Sequence, residues 1–80
     1  MTVTVRFFAS YADRVGRSTL DLELPMGATV TDVLASVAAL PGASAFPRLP
    51  LVAVNRTYAN GSTVVSEGDE VALIPPVAGG

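Results

Sequence analysis

An α+β domain is predicted for this chain by the order of its hydrophobic patterns. Two stretches of strict alternation come first, one stretch of helical period follows, and short apolar runs between turn residues complete the chain, with no repeating strand–helix unit. The expected architecture is a mixed sheet with one main helix packed across one face. Eighty residues, 50% of them hydrophobic, suit a single small domain. Its body is expected over residues 1–74, with residues 75–80 as an extended tail.

Val3, Val5 and Phe7 alternate with Thr2, Thr4 and Arg6, the period of a strand with one buried face. Phe8 breaks the polar side of that alternation. Ala9 to Val15 predicts a short helical turn closed by Gly16. A second alternation runs from Ser18 to Leu24, with Leu20, Leu22 and Leu24 facing one way, so the first two strands form an antiparallel hairpin ending at Pro25. After the Met26-Gly27-Ala28 turn, Thr29 caps a helix whose apolar positions Val30, Val33, Leu34, Val37 and Ala38 share one face. Asp32 forms a short capping box with Thr29 and complements the helix dipole. Pro41-Gly42 ends the helix, and a surface connection containing Pro47 and Pro50 follows.

Leu51 to Val54 is an almost unbroken apolar run, read as a buried central strand. Asn60-Gly61 is read as the turn of a hairpin joining Arg56–Ala59 to Ser62–Val65. Glu67-Gly68-Asp69-Glu70 forms another turn, with Asp69 stabilising it. Val71 to Ile74 is the last strand, Val71 and Leu73 on one face, Ala72 and Ile74 on the other. This element order is that of a β-grasp.

Composition excludes several functions. Five basic residues, all arginine, against seven acidic ones give a net charge of −2 and no basic field for nucleic acid. No apolar run approaches the roughly 18 residues of a membrane span, and no basic segment precedes an apolar one at the N-terminus, so a cytoplasmic protein without membrane contact is expected. The sequence contains no Cys, His, Trp or Lys. That removes disulfides, Cys/His zinc sites, thiol and Ser-His nucleophiles and Schiff-base chemistry. Independent enzymatic activity is not expected, and no metal site is either. Arg6, Arg14, Arg17, Arg48 and Arg56 are read as solvated charges.

Pro75-Pro76-Val77-Ala78-Gly79-Gly80 starts with two residues that cannot continue a ladder and that favour an extended conformation. Six extended residues reach roughly 20 Å. Glycine at positions 79 and 80 allows passage through a channel too narrow for a Cβ-bearing chain and close approach to a nucleotide. A carboxylate is a poor electrophile, so such a tail needs another protein to activate it.

The run Gly68-Asp69-Glu70-Val71-Ala72-Leu73-Ile74-Pro75-Pro76-Val77-Ala78-Gly79-Gly80 resembles the C-terminal signature of the MoaD/ThiS family of ubiquitin-like sulfur carriers. Val5-Arg6-Phe7-Phe8-Ala9-Ser10 and Ala53-Val54-Asn55-Arg56 match as well, so the resemblance spans essentially the whole chain. It implies a ubiquitin-like β-grasp and a sulfur chemistry centred on Gly80. An E1-like adenylyltransferase would use ATP to activate the Gly80 carboxylate, and a sulfurtransferase donor would convert it to a thiocarboxylate. Gly79 would thread the tail. No cofactor would be held stably. The implied partner is the large catalytic subunit of molybdopterin synthase, in a heterotetramer of two small and two large subunits, with cyclic pyranopterin monophosphate as sulfur acceptor.

Strand phase places Phe8 and Ile74 outside the faces that build the core. By the resemblance, Phe8, Tyr58 and Ile74 belong to the apolar partner-binding surface, joined by Pro75, Pro76, Val77 and Ala78 of the tail. Tyr58 departs from the aliphatic residue expected there. Carriers serving thiazole or cysteine biosynthesis, and a ubiquitin-like binding module with an incidental Gly-Gly, are the alternatives.

Overall fold

The computed structural model describes residues 1–42 and 51–75. Its elements are β1 (Thr2–Phe7), α1 (Ser10–Val15), β2 (Thr19–Glu23), α2 (Val30–Ala38), β3 (Leu51–Val54), β4 (Thr57–Ala59) and β5 (Glu70–Ile74). They build one five-stranded mixed sheet in the order β2-β1-β5-β3-β4. β1 pairs antiparallel with β2 and parallel with β5, and β3 is antiparallel to both β5 and β4. The last strand therefore lies at the centre of the sheet. The predicted α+β architecture and the opening hairpin are present.

One face of the sheet is the core. Val3, Val5 and Phe7 of β1, Val52 of β3 and Val71 and Leu73 of β5 point the same way and meet Val30, Val33 and Val37 of α2. Leu20 and Leu22 of β2 pack at its margin. In α2 the apolar residues at i, i+3 and i+7 form the buried stripe, Leu34 flanks it and Ala38, expected on the same face, is exposed. Ala38 is the last residue of the helix. Asp32 accepts the backbone N–H of Thr29 at 2.8 Å, completing the capping box read from the sequence.

The Asn60-Gly61 hairpin does not form. β4 instead turns back onto β3 through a two-residue loop, Asn55-Arg56, whose φ values of 49° and 70° meet the requirement of the hairpin turn with positive φ at both central residues. Asn55 fixes this conformation: its Nδ2 donates to Asp69 Oδ1 at 2.8 Å and its Oδ1 accepts from the backbone of Glu70 at 3.0 Å. Residues 62–65 contribute only an isolated bridge, Val64 to Thr29. Their segment serves the helix, since Val30 N–H donates to Thr63 O at 2.9 Å and Thr31 N–H to Gly61 O at 3.0 Å. Backbone donors in the first turn of a helix have no partner within it, and here the neighbouring segment supplies one.

Asp69 has the turn-stabilising role expected of it, accepting the Ser66 N–H at 2.8 Å. Gly42 follows the turn after α2 with φ +87°, and a Cβ placed there would lie 2.0 Å from the backbone oxygen of Arg14. This tight approach joins the exit of α2 to α1. The predicted connection with Pro47 and Pro50 lies outside the described residues.

Replacing Gly42 by Ala is expected to destabilise the domain by about 1–3 kcal/mol, because both the positive φ and the backbone contact oppose a side chain. Chemical denaturation at fixed pH measures it. A second expectation concerns Tyr11, buried in α1, whose phenol is pushed above its ordinary value near 10 by desolvation. Above pH 10 the unfolded chain ionises first and binds fewer protons at this group, so stability falls as pH rises towards the folded value. The fall above about pH 10 should be smaller in Tyr11→Phe, as compared from denaturation midpoints.

Candidate functional site: the outer sheet face and the end of β5

The second face of the sheet is uneven along the strands. At one end it is polar: Thr2 bonds to Glu23, Thr4 Oγ1 donates to Asp21 Oδ1 at 3.0 Å, and Glu70 lies opposite Thr4 in register. Towards the end where β5 finishes it becomes apolar. The register runs Arg6, Ala72, Ala53, Tyr58 across four strands, and the next outward row holds Ile74 opposite Leu51. Phe8, just past β1, lies on this side with its ring beneath the Arg6 guanidinium, 5.5 Å from ring centroid to Cζ.

Exposure follows from position. The small side chains of Ala53 and Ala72 are covered by their neighbours, whereas Phe8 is 40% exposed, Leu51 46% and Tyr58 72%. Ile74 and Pro75 are half-buried. A small domain has little apolar surface to spare from its core, so a cluster of large apolar side chains on the face opposite the helix marks a surface suited to a partner. The structure thus brings Phe8 and Ile74 to one end of the outer face and places Tyr58 on the same face at the β4 edge. It adds Leu51, which the sequence reading put in a buried strand. An unbroken apolar run carries no alternation from which the two sides of β3 can be told apart, and only the pairing of Leu51 with Ile74 assigns it to the outer face.

The chain turns directly after Phe8. Ala9, directly after it, takes φ 48° and ψ −125°, an unusual conformation for a residue with a Cβ, and the chain leaves β1 there to enter α1. The last rung before that turn is Phe8 N–H to Leu73 O at 3.4 Å. Arg6 is half-exposed and pairs with Glu70 at 3.5 Å, so it is a member of this surface rather than an isolated solvated charge.

Pro75 is the last described residue, and it follows the central strand directly. Pro75 therefore sits at the end of a strand flanked by β1 and β3, at the apolar end of the outer face. Pro76, Val77, Ala78, Gly79 and Gly80 lie outside the described residues. Among the described residues no group of three or more Asp or Glu side chains is arranged to hold a metal ion, and no helix is long and apolar enough to cross a membrane.

Residues 5–80 match the model of the ThiS family. The chain is 34% identical over its full length to the molybdopterin synthase sulfur carrier subunit of Chlamydomonas reinhardtii, whose full length is also covered. Among solved structures it is similar to SAMP1 from Haloferax volcanii, with TM-score 0.87, 27% identity and both chains fully covered. It is also similar to a chain in the complex of subunits 1 and 2 of molybdopterin-converting factor from Helicobacter pylori, with TM-score 0.75, 25% identity and both chains fully covered. This is the fold of a ubiquitin-like β-grasp protein. The chain belongs to the ThiS family and is a sulfur carrier of the MoaD/ThiS type.

Proposed function

We propose that this chain is the sulfur-carrying small subunit of a cytoplasmic molybdopterin synthase, with residues 1–74 as the docking body and residues 75–80 as the reactive tail. The observation that supports it best is the position of Pro75, the last described residue, directly after the central strand at the apolar end of the outer face. A partner that covers Phe8, Leu51, Tyr58 and Ile74 there receives the tail in a defined direction. The naming of the full-length Chlamydomonas reinhardtii relative and the two-subunit Helicobacter pylori complex favour a large catalytic subunit as that partner.

In this reading the Gly80 carboxylate attacks the α-phosphate of ATP on an E1-like adenylyltransferase, forming an acyl adenylate and releasing pyrophosphate. The terminal sulfur of a donor persulfide then attacks the acyl carbon and AMP departs. A thiol cleaves the S–S bond of the resulting acyl disulfide, so that the donor sulfur and that thiol leave as a disulfide and a thiocarboxylate remains. On the large subunit its sulfur passes to cyclic pyranopterin monophosphate, and water restores the carboxylate. Two such deliveries make a dithiolene. This chain supplies the carrier atom and the docking surface; the partners supply acid–base groups and the nucleotide site. Pro75 and Pro76 stiffen the start of the tail, Val77 and Ala78 taper it, and Gly79 keeps the backbone slim next to the reacting carbon. Two carriers and two large subunits form the assembly.

A second reading, that the chain modifies other proteins through its tail, is favoured by the likeness to SAMP1, the small archaeal modifier protein 1. Purification from the native host, with intact-mass measurement, separates the two. An oxygen-to-sulfur exchange on Gly80 together with a large synthase subunit supports the carrier reading, whereas attachment of the chain to lysines of unrelated proteins supports the modifier.

Two variants test the roles. Gly80→Ala should leave the melting temperature unchanged and reduce thiocarboxylate formation or sulfur delivery, measured by intact mass and by pterin product; delivery at the unaltered rate would remove Gly80 from the mechanism. Phe8→Asp should remain a folded monomer and bind the purified large subunit about tenfold or more weakly by calorimetry. Loss of cooperative unfolding in the isolated variant would instead mark Phe8 as a core residue.

A further inference from the structure

On the outer face, three side chains form a connected series: Glu70 of β5 holds Arg6 of β1 at 3.5 Å, and the Arg6 guanidinium lies over the Phe8 ring, 5.5 Å from its centroid. The pair is not structural in any strong sense. The Arg6 and Glu70 side chains are 44% and 36% exposed, a setting in which an ion pair contributes little to stability. A strand-end phenylalanine that is 40% exposed would ordinarily turn among rotamers. Here one face of the ring is occupied by a planar cation that is itself tied to the central strand, and the backbone immediately after the ring is bent through the strained Ala9 conformation.

We infer that Arg6 is a positioning residue for docking: lying over the Phe8 ring and tethered by Glu70, it holds the ring in the orientation that the partner receives. The inference rests on the docking reading of the outer face given above. Binding an exposed aromatic costs the freedom of its side chain, and a ring already held in place loses less on association. Planarity matters, because a guanidinium lies flat on a ring face whereas an ammonium does not. The half-exposed charge also remains available to hydrogen-bond acceptors at the rim of the interface, so direct contact with the partner is the competing role for Arg6. Coupling to Phe8 distinguishes the two.

The test is a double-mutant cycle on affinity for the purified large subunit, using Arg6→Met, Phe8→Leu and the double variant, with melting temperature as control. Arg6→Met is expected to weaken binding about 2- to 5-fold at unchanged melting temperature, and to have almost no further effect in the Phe8→Leu background. In the free protein, the Arg6 δ-proton NMR resonances should lie upfield through the ring current and move downfield in Phe8→Leu. An equal loss from Arg6→Met in both backgrounds overturns the inference in favour of direct contact. No loss from Arg6→Met, or no ring-current shift, overturns it as well. Unaltered affinity in Phe8→Asp would overturn the docking reading itself and this inference with it, an outcome distinct from failure of the coupling alone.

Discussion

The parallel pairing of β1 with β5 is the constraint on which the rest depends. It joins the first and last strands of the chain and makes the final strand the centre of the sheet, flanked by β1 on one side and β3 on the other. A central strand is anchored on both edges and both faces. Val71 and Leu73 enter the core on one side, while Ala72 and Ile74 complete the apolar end of the other. Pro75, the last described residue, therefore follows a strand paired on both edges. Parallel neighbours cannot be joined by a tight turn, and here everything from α1 to the Asn55-Arg56 hairpin lies between the two strands.

The two faces divide the work of a small domain. The inner face, covered by α2, collects nearly every large aliphatic side chain and holds the fold together. The outer face is free of that duty and is graded from the Thr2, Thr4, Asp21 and Glu23 end to the Phe8, Leu51 and Ile74 end. Such grading fits the proposed docking, in which a partner would cover the apolar end, where Pro75 lies. The sequence holds no His, Cys or Lys, and the proposed function accordingly assigns reactivity to the Gly80 carboxylate and to groups brought by other proteins.

Local conformation serves that surface at two places. Ala9 and the Asn55-Arg56 pair all take positive φ without being glycine. Asn55 is held there by bonds to Asp69 and to the Glu70 backbone, which also secure the start of β5. Ala9 directly follows Phe8, which lies on the outer side next to Arg6. Strain of this kind persists only where surrounding contacts determine the backbone, and both sites border strands that frame the tail exit.

By itself the sequence determined the alternating strands β1 and β2, the stripe and capping box of α2, the turn at Gly68-Asp69 and the outward phase of Phe8 and Ile74, because each is written in local periodicity or local hydrogen-bonding chemistry. It also carried the family, through a tail whose residues need no tertiary context to be recognised. Tertiary structure alone decided which short segments pair. Asn60-Gly61 has the stronger hairpin signature, yet Asn55-Arg56 makes the turn, because β5 supplies the partners that hold Asn55 and α2 claims the carbonyls of Gly61 and Thr63. Likewise Leu51 became a surface residue only through its pairing with Ile74. Strand pairing is a competition among distant segments for the same backbone groups, and a local pattern does not record who wins it.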